Sequence, residues 1–424
     1  MRTAALHNLG CKVNSYETEA MQQLLEEAGY EIVPFHEKAD VYIINTCSVT
    51  NIADRKSRQM LHRAKKQNPD AVVVAAGCYV QAAAEELKAD LAVDVIIGNN
   101  KKQDLVPILE EYFKDKSDSS HVIEISETHE YERLSIHKIA DHTRAFLKIQ
   151  DGCNQFCSYC IIPYTRGRVR SRRPDEVVAE VRELAAAGYQ EVVLTGIHLS
   201  SYGVDFKEEE KKENLLSLIK QVHEVEGIRR IRLGSLEPRI ITEEFAQALA
   251  SMPKFCPHFH LSLQSGCDKT LKRMNRHYTT EEYAAGCEIL RRYFDNPAIT
   301  TDVIVGFPGE TEEEFEETKA FLERIGFYEM HIFKYSRRAG TRADRMPEQV
   351  PEQVKSVRSE VLLKLEKQMS KAYRESFSGK KKTVLLEEKT EIGGRAYMIG
   401  HTMEYVKAVV PYADNLKNKM TEGI

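Results

Sequence analysis

The sequence predicts an α/β protein built from an N-terminal domain with a parallel sheet, a central partial (βα)6 barrel and a small all-β domain at the C-terminal end. The chain has 424 residues, enough for about three domains of roughly 150 residues each. Short apolar strands alternate with amphipathic helices through the first two parts, a pattern typical of parallel sheets covered by helices. The last stretch changes to strand-like segments separated by the glycine pair 393–394.

The composition is that of an ordinary globular protein, with 42% hydrophobic and 29% charged residues. The formal net charge is −5, so any contact with nucleic acid must come from local basic patches. The sequence contains no run of 18 apolar residues, and its N-terminus lacks the apolar core of a secretion signal. We therefore expect a cytoplasmic protein without membrane contact, whose nine cysteines are core thiols or ligands rather than disulfides.

Residues 1–115 alternate between strands and helices and are expected to form the first domain. Its strands are expected near Ala4–Leu6, Val41–Asn45, Val72–Ala75 and Val93–Ile97, and its helices near Tyr16–Ala28, Ile52–Lys66 and Gln81–Lys88. The following residues, 116–142, are polar and weakly patterned, which is typical of a linker.

Residues 143–376 repeat a strand–helix unit about six times, which is too few for a closed eight-stranded barrel and predicts an open one. A long charged helix from about Pro351 to Ser376 ends this domain. Its strands are expected near Ala145–Gln150, Glu191–Thr195, Ile231–Leu233, Phe259–Leu263, Thr301–Val305 and Tyr328–Phe333.

Residues 377–424 are expected to form the β domain, with strands near Thr383–Glu388 and Tyr405–Val410. Short apolar runs on either side of a glycine turn are typical of antiparallel strands. The sequence ends where a further strand is expected, so we predict that this domain is incomplete.

Three cysteines stand close together in the segment DGCNQFCSYCIIP, directly after the first predicted barrel strand. Their spacing is C-x3-C-x2-C, and thiolates are soft ligands that suit iron–sulfur clusters or zinc. Cys153, Cys157 and Cys160 could hold three irons of a [4Fe–4S] cluster and leave the fourth iron open for an outside ligand. A structural zinc site needs a fourth protein ligand, and none stands at a suitable spacing. Zinc and a set of buried thiols are the alternatives.

Three further cysteines lie far apart in the first domain, but each follows a predicted strand. Cys11, Cys47 and Cys78 come after RTAALHNLG, VYIINT and AVVVAAG. Because the carboxyl ends of parallel strands meet at one edge of the sheet, we expect the three thiols to converge there. Gly10 and Gly77 would let the backbone approach a bulky ligand closely. Three small buried side chains are the alternative.

Both sets of cysteines resemble those of a known family. The C-x3-C-x2-C segment, with Tyr159 before its third cysteine, is similar to the cluster loop of radical S-adenosylmethionine enzymes. With the three separated cysteines, the whole chain resembles the methylthiotransferases of that superfamily. The resemblance rests on the strings NLGCKVNSYETE, INTCSVTNIADRKSRQ, VVVAAGCY, DGCNQFCSYCIIPYTRGRVRSR, GSLEPR, HLSLQSGCDKTLKRMNR and DVIVGFPGETEEEF.

This resemblance implies two [4Fe–4S] clusters and S-adenosylmethionine as cofactors. The clustered cysteines would hold the radical cluster, and the separated cysteines an auxiliary cluster where sulfur is assembled or donated. One S-adenosylmethionine would methylate that sulfur, and a second would be cleaved to a radical that removes the hydrogen on C2 of an adenine before the methylthio group is transferred. The β domain would be an OB-like, RNA-binding TRAM module. An electron donor, which the sequence does not identify, would also be required.

The branch of the family decides the substrate. The strings TGIHLSSYG, IRLGSLEPRIIT, CPHFHLSLQSGCD, YEMHIFKYSRRAGT and GHTMEYVKA are most similar to the branch that acts on N6-threonylcarbamoyladenosine next to the anticodon of tRNA. Isopentenyl-adenosine in tRNA and an aspartate of a ribosomal protein are the alternatives within the family. A zinc-stabilised RNA-binding protein without catalysis is the alternative from another class. The sequence does not indicate the oligomeric state.

The carboxyl ends of the barrel strands are expected to carry the cofactor site. Glycines there permit a close approach of the backbone, and Glu237, Gln264 and Asp302 could bond methionine or ribose groups. Ordinary turn residues at strand ends are the alternative. The predicted cofactor contacts are Tyr159, Thr195, Gly196, Ser235, Glu237, Gln264, Asp302, Ile304 and Phe333.

Basic stretches are candidates for contact with RNA phosphates and bases. Residues 51–68 carry six lysines and arginines against one acid, and residues 166–173 carry five arginines and no acid. The second run follows the cluster loop directly, so it would bring RNA beside the chemistry, although some of its arginines could form internal ion pairs instead. The predicted RNA contacts are Arg55, Lys56, Arg58, Arg166, Arg168, Arg170, Arg172, Arg173, Lys380, Lys381 and Lys382.

Overall fold

The computed structural model describes residues 1–116, 119–136, 143–207 and 212–423. Within these ranges the predicted fold class is confirmed: a parallel sheet, a partial barrel of parallel strands and an antiparallel sheet follow one another along the chain. None of the helices in the described ranges is long and apolar enough to cross a membrane.

The N-terminal domain is a parallel sheet with helices on both faces. Its elements are β1 (Thr3–Asn8), α1 (Lys12–Glu27), β2 (Glu31–Ile32), β3 (Val41–Thr46), α2 (Asn51–Gln67), β4 (Val72–Gly77), α3 (Cys78–Ala82), α4 (Ala84–Lys88), β5 (Val95–Ile97), α5 (Leu105–Lys114) and β6 (Ser120–His121). The strand order is β2-β1-β3-β4-β5-β6, and every neighbouring pair is parallel. β3 and β4 are buried along their whole length, because apolar clusters cover both faces of the sheet.

Part of the segment predicted as a linker belongs to the folded structure. β6 extends the N-terminal sheet through its pairing with β5. Beyond it, Ile125, Leu134 and Ile136 are buried, although no regular periodicity connects them. Ile125 begins a short 3-10 helix and the other two lie in irregular backbone, so the periodicities that identify longer helices and strands do not detect them. The end of the predicted linker, 137–142, lies outside the described residues.

The central domain supplies the six predicted strand–helix units. Its strands are β7 (Arg144–Asp151), β8 (Arg170–Ser171), β9 (Glu191–Gly196), β10 (Arg230–Leu233), β11 (His258–His260), β12 (Ala298–Val305) and β13 (Glu329–Lys334). Its helices are α6 (Ile162–Thr165), α7 (Pro174–Ala186), α8 (Leu215–His223), α9 (Glu243–Ala250), α10 (Asp268–Arg273), α11 (Thr280–Tyr293), α12 (Glu312–Ile325) and α13 (Glu352–Glu375).

These strands form an open, curved layer. β7, β9 and β10 pair in parallel, as do β11, β12 and β13. Isolated bridges, including Leu236 to Leu261, connect the two groups. The short β8 pairs antiparallel with β7 at the open edge, and α1 of the N-terminal domain packs against β7 there. The barrel is therefore completed by the first domain rather than by further strands.

Side chains on the barrel strands alternate between the helix layer and the lumen. Residues such as Val192, Leu233 and Val303 pack into the core beneath the helices. Their neighbours along the strands face the lumen and are mostly polar, so this lumen is a charged chamber rather than a packed core. The lumen-facing polar residues include Arg144, Glu191, Arg230, Arg232, His258, His260, Asp302 and His331.

The C-terminal domain is an antiparallel sheet with two more strands than predicted. It consists of β14 (Lys382–Ile392), β15 (Arg395–His401), β16 (Lys407–Pro411) and β17 (Met420–Gly423), in the order β16-β15-β14-β17. A bulge between Leu386 and Glu388 interrupts the alternation of side chains between the two faces of β14, so only part of this strand is recognisable in the sequence. The predicted glycine turn at 393–394 is confirmed, and both glycines have positive φ.

A turn of this domain, residues 402–406, covers the end of the barrel where the strands begin. Tyr405 stacks on His258, with ring centroids 5.0 Å apart and an interplanar angle of 3°. The guanidinium of Arg232 lies 4.8 Å from the centre of the same ring. Arg230 donates hydrogen bonds of 2.8 Å to the carbonyls of Thr383 and His401. The β domain is thus attached to the barrel as its floor.

Candidate active site between the first domain and the barrel

Cys11, Cys47 and Cys78 lie at the carboxyl edge of the N-terminal sheet. Cys11 directly precedes α1, Cys47 follows β3, and Cys78 begins α3 directly after β4. Gly10 adopts φ +111°, and a Cβ there would lie 3.0 Å from the Sγ atom of Cys47. Gly77, at φ +96°, has no room for a side chain either, because Asn45 and Thr46 surround it. The two glycines thus allow the chain to turn tightly beside the thiols.

The three thiols influence one another. Burial, together with repulsion from the neighbouring thiolates of Cys78 and Cys11, raises the pKa of Cys47 to about 12. Burial also raises the pKa of Cys11, while the positive charge of Arg166 opposes that shift. As free thiols, Cys11 and Cys47 are therefore protonated at neutral pH. Three close sulfur donors that need a cation to become thiolates form the soft ligand set expected for an iron–sulfur cluster.

Arg166 is the principal cation of this site. Its Nε donates to the Sγ atom of Cys78 at 3.2 Å, and its guanidinium bonds Glu17 at 2.8 Å and Asp151 at 3.1 Å. Asn99 also donates to Cys78, at 3.6 Å. Arg166 comes from the barrel, while its partners Glu17 and Cys78 belong to the first domain, so it connects the two.

A buried charge network surrounds this contact. Glu17 accepts from Lys148 at 2.9 Å and lies 3.1 Å from Lys102, and all three side chains are fully buried. Burial alone would raise the pKa of Glu17, but Arg166 and the two lysines hold it well below its usual range. The same arginine and Lys148 lower the pKa of Asp151 against the effect of burial. The network therefore keeps both carboxylates ionised.

Three of the five arginines in the run 166–173, which is predicted to contact RNA, are buried. Arg166 and Arg170 are fully buried, and Arg172 is 6% exposed. Arg170 donates to the carbonyls of Arg166 and Arg168 at 2.9 and 3.0 Å, and Arg172 pairs with Glu180. Acidic residues from outside the run pair with these buried arginines. The positive charge counted over residues 166–173 is therefore larger than the charge that the run presents at the protein surface.

The other predicted RNA contacts have accessible positions. Arg168 is exposed, with its guanidinium 4.7 Å from the ring centre of Phe156 in the cluster loop. Arg173 is exposed beside Phe206. On α2, Arg55 and Lys56 are exposed, whereas Arg58 donates to the hydroxyl of Tyr79 and is half-buried. In the β domain, Lys380 and Lys381 are exposed and Lys382 pairs with Glu404.

Cys153, Cys157 and Cys160 lie on the loop after β7, at the carboxyl end of the barrel. Burial raises the pKa of Cys153 to about 11 and that of Cys160 to about 12, with Cys157 adding to both shifts. The loop is fixed by hydrogen bonds from Cys153 N to the Gly167 carbonyl and from the Asn275 amide to the carbonyls of residues 155 and 156. Three sulfur donors are thus held together on a loop that neighbouring segments immobilise.

Arg276 is a site residue that the sequence did not indicate. Its guanidinium donates to the Sγ atom of Cys157 at 3.2 Å, and it packs against Tyr278. The contact joins residues 119 positions apart and depends on the turn after α10. Only the fold distinguishes this arginine from the many others in the chain.

A cavity of about 270 Å³ opens beside the cluster loop, between the two domains. Val49 and Thr50 contribute to it from the first domain. Gln264 adopts φ +72°, held by its backbone hydrogen bonds with Asp302 and Ile304, and such strained backbone is typical of ligand sites. Five of the predicted cofactor contacts line this cavity: Tyr159, Gln264, Asp302, Ile304 and Phe333.

The other predicted cofactor contacts lie outside the lining of that cavity. Thr195 is buried and donates to the Leu147 carbonyl at 3.2 Å. Gly196 is closely packed against Gln150, and Ser235 is exposed. Glu237 pairs with Arg239 at 2.9 Å and is close enough to Cys153 to raise the pKa of that thiol. Glu237 therefore belongs to the surroundings of the cluster loop.

The first domain is fixed over the mouth of the barrel on its far side as well. Arg338, which follows β13, donates to Ser48 at 2.7 Å and to Asn51 at 3.0 Å and pairs with Asp54.

The remaining cysteines are not part of the site. Cys256, Cys267 and Cys287 are fully buried.

Comparisons with known proteins identify the family. Residues 147–322 match the radical SAM superfamily, and residues 3–98 match the uncharacterized protein family UPF0004. The chain is 43% identical, over its whole length and 93% of the relative, to the threonylcarbamoyladenosine tRNA methylthiotransferase MtaB of Bacillus subtilis. The chain belongs to the radical S-adenosylmethionine methylthiotransferase family. Radical chemistry with S-adenosylmethionine and an iron–sulfur cluster is thus the chemistry of this methylthiotransferase.

Two further similarities place this methylthiotransferase among its relatives. A tRNA-2-methylthio-N(6)-dimethylallyladenosine synthase of Moorella thermoacetica is 38% identical over 91% of this chain and 87% of that protein. Among solved structures, the radical S-adenosylmethionine methyltransferase TsrM of Kitasatospora setae, with cobalamin and a [4Fe–4S] cluster bound, aligns with a TM-score of 0.60. The alignment covers 81% of this chain and 77% of TsrM at 16% identity, which reflects a shared fold.

Proposed function

We propose that this methylthiotransferase adds a methylthio group to C2 of N6-threonylcarbamoyladenosine next to the anticodon of tRNA. The observation that carries the proposal is the presence of two separate three-thiol sets, one on each side of the interface between the first domain and the barrel. The relatives named for this activity include proteins of Bacillus subtilis and Aquifex aeolicus, at 43% and 42% identity.

The clustered thiols are assigned to the radical cluster. Cys153, Cys157 and Cys160 offer three soft donors, as a [4Fe–4S] cluster with one open iron requires. When bound, this cluster and S-adenosylmethionine supply a radical able to break a C–H bond that acid–base groups cannot. Arg276 offers a fixed positive charge beside Cys157, suited to an anionic group of the cofactor.

The cavity beside the cluster loop suits the rest of the cofactor. Gln264 and Asp302 present polar groups there, and Ile304 and Phe333 present apolar surface. A nucleoside needs this combination, because its ribose forms hydrogen bonds and its base prefers an apolar or aromatic face.

The separated thiols are assigned to an auxiliary [4Fe–4S] cluster. Cys11, Cys47 and Cys78 form a three-donor set like that of the radical site, and they face the barrel. Arg166 and Asn99 donate to Cys78, and such hydrogen bonds to a ligating sulfur stabilise its thiolate. The role assigned to this set is to present sulfur to the nucleotide.

Competition between two RNA substrates tests the proposed function. Anticodon stem-loops that carry threonylcarbamoyladenosine or dimethylallyladenosine at the same position are incubated with the reconstituted enzyme. We expect the methylthio product, measured by mass spectrometry of nucleosides, from the threonylcarbamoyl RNA. The matching experiment in cells is nucleoside analysis of tRNA after deletion of the gene. Product from the dimethylallyl RNA alone would favour the second candidate, which the 38% identity to a synthase of that kind supports.

Exposed arginines beside the cluster loop are assigned to the RNA. We expect the double substitution Arg168→Glu and Arg173→Glu to weaken tRNA binding and to reduce its salt dependence by roughly one unit of log K per log salt for each phosphate that is no longer neutralised. Binding is measured across a salt series, together with iron content and RNA-independent cleavage of S-adenosylmethionine. Arg229→Glu is the matched control, because this exposed arginine lies at the opposite end of the barrel strands. Unchanged tRNA binding by the double variant would show that the RNA binds to another face of the protein.

A further inference from the structure

Three side chains on neighbouring barrel strands come together in the lumen. His260 lies on β11, Asp302 on β12 and His331 on β13. Asp302 is the register partner of His331, and His260 is the partner of Thr300, which lies two residues before Asp302 on the same face of β12. The pairing of the three parallel strands therefore holds two imidazoles and one carboxylate side by side. We call His260, Asp302 and His331 the lumen triad.

The donor atoms of the lumen triad are close enough to share one ion. Each residue offers one nitrogen or oxygen atom, and the three atoms lie within 4.8 Å of one another. His260 Nε2 and Asp302 Oδ2 are 3.3 Å apart. A tetrahedral zinc ion with bonds of about 2.1 Å places neighbouring ligand atoms about 3.4 Å apart, so this pair already has the required separation. His331 is exposed, and a small rotation of its side chain brings the third donor into reach.

Thr300 fixes the orientation of His260. Its hydroxyl lies 3.0 Å from His260 Nδ1, while Nε2 faces Asp302. When Nε2 binds a cation, Nδ1 carries the proton and donates to this hydroxyl. Histidines that bind metals commonly form such a hydrogen bond through the other ring nitrogen, because it fixes the ring and raises the basicity of the ligand. Thr300 thus holds the imidazole in the orientation that a metal ligand needs.

The lumen triad borders open space rather than packed core. The side chains of His260 and Asp302 are 13% and 29% exposed, whereas Phe259 and Val303, their neighbours along the strands, are buried. Asp302 also lines the cavity beside the cluster loop. Within the described part of the chain, its carboxylate has no salt bridge other than that with His260. An ion bound here would therefore keep coordination positions open toward the chamber.

We propose that the lumen triad binds one divalent transition-metal ion inside the barrel. Two imidazoles and one carboxylate form a ligand set that suits iron(II), manganese(II) and zinc, and a site with three protein ligands leaves positions for outside ligands. Both imidazoles are neutral when they bind, so the ion keeps a net positive charge. Its open positions suit an oxygen donor of a molecule in the chamber. The site contains no thiol, and the inference does not depend on the proposed function.

Titration with manganese(II) tests this site, because manganese(II) prefers oxygen and nitrogen donors to the thiolates of the two cysteine sets. The full-length enzyme is reconstituted with iron and sulfide and titrated with manganese chloride while its clusters are in the oxidised, EPR-silent state. The loss of the EPR signal of free manganese gives the stoichiometry and the Kd. We expect one strong site per chain, and pulsed EPR of the bound ion should show hyperfine coupling to imidazole nitrogen.

Two substitutions separate a metal site from a mere group of polar side chains. Thr300→Val removes only the hydroxyl behind His260, and we expect the Kd to rise by about tenfold to a hundredfold, as for other groups that orient a ligand. His331→Ala removes a ligand at an exposed position, so its Kd should rise at least as much. Thr300→Ser keeps the hydroxyl and should bind manganese almost like the wild type. His36→Ala, at an exposed histidine of the first domain, is the matched control and should leave the Kd unchanged.

The iron content of every variant should match the wild type, which shows that the fold and both clusters are intact. A Kd of His331→Ala equal to that of the wild type would overturn the inference, because the ion would then lie elsewhere. The absence of a strong site in the wild type, or bound manganese without coupling to imidazole nitrogen, would overturn it as well. These results concern the metal alone, so a failure of the proposed function in the RNA competition would leave this site standing.

Discussion

Replacing Cys153, Cys157 and Cys160 together by alanine is expected to abolish the reductive cleavage of S-adenosylmethionine. The wild type should hold about eight irons after anaerobic reconstitution, four for each three-thiol set, and this variant about four. The opposite triple variant, at Cys11, Cys47 and Cys78, should also hold about four. It should keep some cleavage activity but form no methylthio product. Iron and sulfide analysis, deoxyadenosine release and nucleoside mass spectrometry give these readouts.

Cys287→Ala provides the matched control for these cysteine variants. This cysteine is equally buried but lies on the apolar face of α11, away from both sets. We expect it to retain about eight irons and full activity, with some loss of stability from the small cavity. Cleavage of S-adenosylmethionine by the triple variant of the cluster loop would show that the radical site has been assigned to the wrong thiols.

Arg166→Met is expected to destabilise the protein by about 3–5 kcal/mol, because it leaves the buried carboxylates of Glu17 and Asp151 short of a partner. The free energy of unfolding, from denaturant titration of the apoprotein, measures this loss. The double variant with Glu17→Gln should lose less than the sum of the single variants, because one uncompensated charge is then removed. Additive losses would contradict the direct coupling of these two residues. Arg168→Met, at a nearby exposed arginine, is the control and should change stability little.

The same network predicts a sensitivity to acid. The pKa values of Glu17 and Asp151 are depressed in the folded protein. Their contribution to stability is therefore present above their unfolded values, about 4, and is lost as the pH falls below that range toward the folded values. Arg166→Met should weaken this dependence on pH.

The fold class and the convergence of the separated cysteines could be anticipated because they follow from local pattern and topology. Each cysteine follows an apolar strand, and parallel strands end at one edge. The capping box at the start of α12, where Thr311 and Glu314 bond each other's backbone, likewise depends only on local sequence, because the two residues stand three positions apart. These features need no knowledge of how the domains meet.

What the sequence did not reveal depends on contacts between distant segments. The burial of Arg166 follows from acids at Glu17 and Asp151, and a local count of charges cannot include them. Arg276 reaches Cys157 only because the turn after α10 lies beside the cluster loop. Contacts between distant segments, rather than the local sequence, therefore determine which basic residues lie buried beside the thiols and which stay exposed and accessible to RNA.

The turn around Tyr405 has a consequence for the order of events. It covers the end of the barrel where the strands begin, and the first domain covers much of the other end through Arg166 and Arg338. We expect molecules to reach the chamber through the gap between the two domains, where the cavity lined by both of them lies. A tRNA base bound in that gap would block the passage of other molecules to and from the chamber. We therefore expect S-adenosylmethionine to bind before the RNA and its cleavage products to leave after the RNA.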